Sequence, residues 1–406
     1  MHLRDFVEGR PLRAAALAAA VCLMASAAGA QTLRDAVEGA WGLNPEIRSL
    51  EARRGQALAQ RGAGESPVPA APAVTLRHVT DTLGRNAGRR EYEAELGVPL
   101  WLPGQGTATV RAADALLART DAEIAARRLA VAGEVRTALW QAALAERRAE
   151  VARQRLKVAR QLEADTRRTA GAGEAAEADL QLARAEALAV AADLRDEELA
   201  LDEARRAFRT LTGVDIPKAV PEPEIAEPPL DRHPALLAAR LGVRAAQAQK
   251  RLVDLTTRDY PEVGLMARRE RDGREERFGT IVGMSVRIPF SVEAVNAPKR
   301  AEAATEVVRS EAEQASAFRA IEADIRQARL AHQAATERLS IARDRAAALR
   351  ARLSNLERAR RAGEISLVEH VRAQAAAFEA DLARATADVQ AGAARARLNQ
   401  SLGVLP

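Results

Sequence analysis

Proline placement constrains this chain more than any other feature. The sequence of 406 residues holds 17 prolines, yet none lies between Pro103 and Pro217 and none between Pro298 and Pro406. Because proline breaks helix interiors, both windows are free to form helices far longer than an ordinary one. Apolar residues make up 48% and charged residues 29%, but aromatic residues only 3%. This composition is typical of long helices, and an antiparallel coiled coil is the simplest interpretation of the windows alone.

Residues 1–30 are predicted to be a secretory signal peptide. Arg4, Arg10 and Arg13 precede an apolar run that ends in a small-x-small pattern, which places cleavage after Ala30. A short buried helix and lipidation at Cys22 are the alternatives. Since Cys22 is the single cysteine, cleavage would leave no residue for disulfides, thiol catalysis or cysteine-based metal binding.

Several functional classes are not indicated by the sequence. The 61 basic and 56 acidic residues nearly balance, at a net charge of +5, and no basic run is interleaved with aromatics, so nucleic-acid binding is not predicted. No apolar stretch after the N-terminus is long enough for a transmembrane helix. Enzyme and phosphate-binding motifs are missing, and no cofactor or resident metal is predicted. The histidines are not clustered at ligand spacing: His78, His233, His332 and His370. His370, beside Glu369, is predicted to be a surface residue.

The chain repeats itself with a period of about 190 residues, which indicates a duplicated domain. We predict a first repeat at 31–216, a stiff proline-rich linker at 217–230 and a second repeat at 231–406. The corresponding segments are Asn44-Pro45 and His233-Pro234, Val98-Pro99-Leu100 and Ile288-Pro289-Phe290, Gly173-Glu174 and Gly363-Glu364, and Leu211-Thr212-Gly213 and Ser401-Leu402-Gly403.

Each repeat is predicted to contain a helix, two strands, a long helix and a shorter returning helix. The first repeat has these elements at Leu33–Arg61, Ala73–Thr80, Glu91–Leu100, Thr107–Arg168 and Ala175–Thr212, and the second at Pro234–Thr256, Val263–Arg268, Thr280–Ile288, Lys299–Arg361 and Ile365–Leu402. The long helices would reach about 90 Å, which the two shorter helices of each repeat match end to end. This equality predicts helices laid side by side in a tube or bundle.

The strands alternate in polarity. Tyr92, Leu96 and Val98 share one face, with Glu93 and Glu95 opposite. This pattern suits lipid on one side and water on the other, although a small soluble sheet capping a coiled coil is the alternative. Since open sheet edges do not occur in lipid, transmembrane strands would require oligomerisation, and three copies would give twelve strands. The few aromatics available for membrane interfaces are Tyr92, Trp101, Tyr260, Phe278 and Phe290.

A turn motif lies between the long and returning helices of each repeat. The second repeat reads RAGEISLVE at 361–369, and Ala373-Gln374 follows. In the first repeat Gly173-Glu174 and Asp179 match this motif, whereas Gly171 replaces the arginine and Ala176 the serine. With the duplicated element order, the motif resembles that of the TolC-like outer-membrane factor family. The resemblance covers nearly the whole mature chain.

The resemblance implies a mainly α fold with a small β part, assembled as a homotrimer. A twelve-stranded β-barrel would lie in outer-membrane lipid and an α-helical barrel would cross the periplasm. The helical tips would meet a periplasmic adaptor and, through it, an inner-membrane pump of the RND type, with passive transport through the channel itself. The chain end just after Leu402-Gly403 is similar to the branch that exports heavy-metal cations. A periplasmic coiled-coil adaptor or scaffold is the competing class, although an adaptor would place one hairpin, not two, within a β-rich domain.

Three residues just inside the returning helices are candidates for a periplasmic gate: Asp179, Glu369 and Arg372. In a trimer, either acid would form a ring of three carboxylates that selects cations. The alternative is an exposed acid that stabilises a helix N-terminus. Arg372 stands where some family members carry a second acid, which predicts an intersubunit salt bridge to Glu369 in place of a double acidic constriction.

Seven residues at the helix reversals are candidates for adaptor contact. The glycines would permit a tight reversal and close approach of an adaptor helix, and the arginines would complement the helix C-termini. These residues are Arg168, Gly171, Gly173, Glu174, Arg361, Gly363 and Glu364.

Overall fold

The computed structural model describes residues 32–406, so the predicted signal peptide and Cys22 lie outside the described residues. The chain forms α1 (Leu33–Leu43), α2 (Pro45–Glu65), β1 (Ala73–Thr80), β2 (Arg90–Pro99), α3 (Gln105–Gly171), α4 (Glu177–Thr212), a 3-10 turn (Leu230–Arg232), α5 (Pro234–Leu255), β3 (Glu262–Arg271), β4 (Gly279–Arg287), α6 (Glu293–Arg361) and α7 (Leu367–Ser401).

Two long helical hairpins dominate the structure. Helices α3 and α6 have 67 and 69 residues, or about 100 Å each, and α4 and α7 return along them. At the other end α2 packs on α3, and α5 packs between α3 and α6. The predicted mainly helical fold, with its duplicated element order and small antiparallel sheet, is confirmed. Within residues 32–406, no helix carries an apolar stretch that could cross a membrane.

The first predicted helix is divided in two at Asn44. The Asn44 side chain accepts hydrogen bonds from the backbone N–H groups of Glu46 (3.0 Å) and Ile47 (3.1 Å), and Pro45 occupies the first position of α2. Asparagine as the N-cap and proline at the first helical position both favour a new helix start.

Helix α6 begins at Glu293, six residues before the predicted start, and contains Pro298. The predicted start was wrong because tertiary contacts stabilise the N-terminal end of α6. The Asn296 side-chain N–H group donates to the carbonyl of Thr257 (2.5 Å) and to the hydroxyl of Ser291 (3.0 Å). Since Pro298 lies in the second turn, it removes one early backbone hydrogen bond and does not break the helix. The returning helices α4 and α7 each begin two residues later than predicted.

The four strands form one antiparallel sheet in the order β1-β2-β3-β4. Its central pair joins the two repeats, with Leu96 of β2 opposite Leu265 of β3. Strand β3 extends three residues beyond its predicted end, because Arg271 pairs with Arg90. The connection to β4, predicted to begin at Arg269, is correspondingly shorter.

The apolar face of the sheet is the exposed one. Leu76 is 77% exposed and Met284 is 76% exposed. On the opposite face Glu91 is only 8% exposed, and Arg268 lies 3.2 Å from its carboxylate and 2.9 Å from that of Glu93. A sheet in water normally buries its apolar face, so this sheet is built to contact an apolar environment.

The largest buried cluster lies where α1 crosses α3 and α4. Val131, Val135 and Leu139 of α3 pack with Val37 of α1 and Phe208 of α4, and all five are at most 2% exposed. Elsewhere alanine is the most frequent buried residue of the long helices, and its small side chain lets helix axes approach closely. This packing explains how so few aromatic residues suffice.

The linker is anchored along the helices. Residues 215–229 have no helix or strand, and the Glu222 carboxylate receives two hydrogen bonds from Arg136 of α3, at 2.7 and 2.8 Å. The same guanidinium donates to the Gln400 side chain (2.6 Å) and the Val404 carbonyl (3.0 Å). Arg136 is 3% exposed. It therefore joins the first long helix, the linker and the end of the second repeat, which a simple spacer would not do.

Removal of Arg136 should strongly destabilise the chain. Arg136→Met leaves the buried Glu222 carboxylate unpaired, and we expect a loss of about 3–5 kcal/mol in the free energy of unfolding, measured by chemical denaturation. The double variant Arg136→Met/Glu222→Leu should recover much of this loss. As the control, Arg209→Ala removes an exposed pair with Asp215 and should cost less than about 1 kcal/mol. Equal losses in the Arg136 and Arg209 variants would contradict a central role for this network.

Candidate functional site: the hairpin tips

The two hairpin tips, residues 168–179 and 358–372, reverse direction by the same hydrogen bonds. Gly173 and Gly363 have φ of +79° and +77°, a left-handed conformation that glycine adopts without a steric penalty. In both tips the following residue, Glu174 or Glu364, donates its N–H to a carbonyl five residues earlier, at 2.9 Å. This is the hydrogen bonding of a glycine-terminated helix, so the two repeats build the same reversal.

Gly171 does not serve the reversal, contrary to the sequence-based expectation. It is the last residue of α3 and does not have a positive φ. A Cβ atom at Gly171 would meet no atom within 4 Å, and the same is true at Gly173 and Gly363. Neither backbone geometry nor packing among residues 32–406 therefore requires glycine at position 171. The space beside Gly171 is therefore available for contact with another molecule.

The remaining tip candidates place charge at the free ends of the hairpins. Arg168 pairs with Asp165 one turn earlier, and the Arg361 side chain donates to the Glu357 carbonyl at 3.3 Å. Glu174 and Glu364 are exposed, and neither has an ion-pair partner within residues 32–406. Each tip thus presents arginine and glutamate to the surroundings.

The two gate candidates with carboxylates occupy equivalent positions in the two repeats. Asp179 is half-buried and Glu369 is exposed, each in the first turn of its returning helix. The backbone N–H of Glu369 donates to the Ser366 hydroxyl at 3.3 Å, whereas Ala176 makes no side-chain cap. Arg372 is exposed. Within the described chain none of the three gate candidates forms an ion pair, so their charges are available to another molecule.

His370 was interpreted from the sequence as a surface residue, and this interpretation was wrong. Its side chain is 7% exposed because α7 packs it against α6. A sequence signal for this burial exists, because His370 lies in a series of residues spaced by three or four positions, all of which are buried: Leu367, His370, Ala373 and Ala377. No hydrogen-bond partner for its Nδ1 atom lies among residues 32–406.

Burial lowers the pKa of His370 below its ordinary value of 6.5. The positive charge of Arg360 on α6 lowers it further, and the negative charge of Glu357 opposes both effects. The charged neighbours on its own helix are Glu369 and Arg372. Among residues 32–406, no three His, Cys, Asp or Glu residues are grouped to hold a metal ion.

A duplicated helix–strand–strand–hairpin unit with an outward apolar sheet face defines a class of membrane channel with a long helical extension. The sequence profile described as outer membrane efflux protein matches residues 37–214 and 228–404, one match in each repeat. The chain belongs to the outer membrane efflux protein family. It is therefore an outer-membrane channel with a periplasmic helical extension, and it is not an enzyme.

Solved structures of outer-membrane channels have the same fold. VceC of Vibrio cholerae is 19% identical, with a TM-score of 0.70 over 92% of this chain and 96% of its own. CusC is 16% identical, with a TM-score of 0.74 over 92% of each chain. The open state of MtrE from Neisseria gonorrhoeae is 17% identical, with a TM-score of 0.70 over 92% of this chain and 89% of its own. A comparison with curated proteins gives no match.

Acidification should weaken the second hairpin through His370. Because the pKa of His370 is lowered in the folded chain, the unfolded chain takes up this proton at a higher pH. Stability should therefore fall as the pH drops below about 6.5, the pKa of unperturbed histidine. We expect the thermal midpoint of the wild type to fall more between pH 7.5 and pH 5.5 than that of His370→Gln. Val368→Ala, an exposed neighbour, should retain the wild-type dependence. An unchanged pH dependence in His370→Gln would contradict this assignment.

Proposed function

We propose that the mature chain, after removal of residues 1–30, assembles as a homotrimer that forms a passive conduit from the periplasm to the exterior. Repeats 31–216 and 231–406, joined by the linker 217–230, each contribute a sixth of its wall. The observation that carries this proposal is apolar surface that one chain leaves uncovered. It occurs on the sheet and along α6.

The sheet supplies the first part of this surface. Strands β1 and β4 each have one edge without a partner in the described chain, and unpaired edges are not tolerated in lipid. Pairing β4 of one copy with β1 of the next satisfies both edges, and three copies close a barrel of twelve strands. The apolar face then meets lipid and the charged opposite face lines the lumen.

Aromatic residues lie at both ends of the apolar face. Tyr92 and Phe278 are 6.2 Å apart near the loop end, and Trp101 and Tyr260 are 5.9 Å apart at the helix end. The strand between these levels spans about 25–30 Å. A tilted strand of this length suffices for the apolar band of outer-membrane barrels, so these few aromatics would serve as interface girdles.

Helix α6 supplies the second part of the surface. Only four of its 69 residues are buried in the chain, compared with 21 of the 67 residues of α3. Val308, Leu330 and Ile341 are 65–68% exposed. A helix of this length that leaves its apolar residues uncovered favours a second copy as the partner.

We propose that the hairpin tips bind a periplasmic adaptor, which connects the channel to an inner-membrane pump of the RND type. Two observations support this contact. Neither backbone conformation nor packing within the described chain requires glycine at position 171, and the charges of Glu174 and Glu364 are exposed. Heavy-metal cations are the proposed cargo. Three copies of Glu369 and Asp179 at the periplasmic mouth would attract cations and repel anions.

Oligomeric state and conductance test the conduit. In detergent we expect the purified mature chain to have the mass of a trimer by light scattering and to conduct ions in planar bilayers. Leu330→Glu/Ile341→Glu should yield monomers because it charges the uncovered stripe, whereas Gln327→Glu, at an exposed polar position of the same helix, should remain trimeric. A soluble monomer in the periplasmic fraction would contradict the proposal and favour the coiled-coil scaffold.

Neutralising Glu369 should alter ion selectivity. Glu369→Gln removes three carboxylates from the mouth of the trimer, so the ratio of cation to anion permeability should fall, as measured by reversal potentials under a salt gradient. The control Glu379→Gln changes an exposed acid ten residues further along α7 and should have a smaller effect. Wild-type selectivity in Glu369→Gln would leave this residue only its role at the helix N-terminus.

Enlarging position 171 should separate folding from adaptor binding. A Cβ atom at position 171 meets no atom within 4 Å, so we expect Gly171→Leu to match the wild type in thermal stability and conductance. If an adaptor helix packs on the tip, the leucine should reduce co-purification of the adaptor with the channel, and Gly171→Ala should reduce it less. Equal adaptor recovery from the leucine variant would exclude this position from the contact.

A further inference from the structure

The outward face of the sheet changes character near its loop end. Along β3, Leu265 and Ala267 lie on the apolar face, but the next two residues on that face are Arg269 and Arg271. Arg90 of β2 lies directly opposite Arg271. We call these three residues the arginine rim. Because the loops are at the end of the sheet away from the helices, the rim faces the exterior side.

Aromatic packing holds two of the rim arginines in place. The Arg269 and Arg271 guanidinium groups lie 5.0 and 4.8 Å from the ring centroid of Phe278, within the range of a cation–π contact. Tyr92 lies 6.2 Å from the same ring. Stacking occupies the face of a planar guanidinium and leaves in-plane N–H groups for an acceptor.

The rim arginines have no acidic partner among residues 32–406. The one hydrogen bond recorded for their guanidinium groups runs from Nε of Arg271 to the Gly88 carbonyl, at 3.2 Å. On the opposite face the neighbouring Arg268 is paired with both Glu91 and Glu93. The three rim arginines therefore lack ion pairs within residues 32–406, whereas Arg268 on the opposite face of the same sheet has two.

The charge around the rim is positive. Residues 81–90 and 269–278 contain seven arginines and five acidic residues, which leaves a net charge of +2 per chain. Arginine on a lipid-facing strand is tolerated near the interface and disfavoured at the bilayer centre. Positive charge directly above an apolar surface matches a ligand with an anionic headgroup and acyl chains.

We propose that the arginine rim binds the phosphate groups of a phosphorylated glycolipid in the outer leaflet, with its acyl chains along Leu265 and Ala267. This inference rests on the proposed membrane placement of the sheet. Guanidinium groups form bidentate, charge-assisted hydrogen bonds with phosphate, and three copies in the trimer would form three equivalent lipid sites. The bound lipid would seal the barrel against the headgroup layer.

Lipid binding to the purified mature chain in detergent tests the rim. We expect bisphosphorylated lipid A to bind the wild type at least about tenfold more tightly than the dephosphorylated lipid. Arg269→Gln/Arg271→Gln should lose this preference. Arg77→Gln removes a positive charge from the opposite face of the sheet, where Arg77 of β1 lies opposite Glu93, and should bind as the wild type does. Equal affinity of the wild type for the two lipids, or full affinity in the double variant, would overturn the proposal.

Two further arms separate the possible causes. Inorganic phosphate at the lipid concentration should not displace lipid A, and displacement would indicate a free-phosphate site instead. Conductance in bilayers of phosphatidylethanolamine tests the channel independently. A wild type that conducts but shows no phosphate preference would overturn the lipid site alone, whereas a wild type that neither inserts nor conducts would overturn the proposed function.

Discussion

The rest of this structure depends on the apolar face of its sheet, which a single chain cannot bury. The four strands direct Leu76, Leu265 and Met284 outward and hold Glu91, Glu93 and Arg268 together on the opposite face. Burial of apolar surface is the dominant favourable contribution to folding. A fold that leaves such a face uncovered is therefore built to contact an apolar environment, and the long helices extend this membrane element into the periplasm.

The described chain is nevertheless internally well connected. The Arg136 guanidinium bonds the linker and the C-terminal end of α7 to the first long helix, and Asn399 also donates to Glu222, at 3.0 Å. A buried charge is tolerated when all its hydrogen bonds are satisfied.

Much of the fold could be predicted because its signals are local. Proline-free windows, the repeat and alternating strands each depend on neighbouring residues. They located the helices and strands to within a few residues, except at the division between α1 and α2 and at the start of α6. The start of α6 could not be predicted this way, because Asn296 holds that end through the distant carbonyl of Thr257. The burial of His370 and the dispensability of Gly171 also depend on what surrounds each residue in space.

The sequence by itself determined the elements, their duplication and the glycines that reverse each hairpin, since helix and strand periodicity and positive φ are properties of short segments. Only the tertiary structure decided which surfaces remain uncovered. It showed the apolar strand face to be the outward one, left all but four residues of α6 unburied, buried His370 and placed Arg269 and Arg271 on one aromatic ring. These outcomes depend on strand register and helix packing, which bring together residues far apart in the chain.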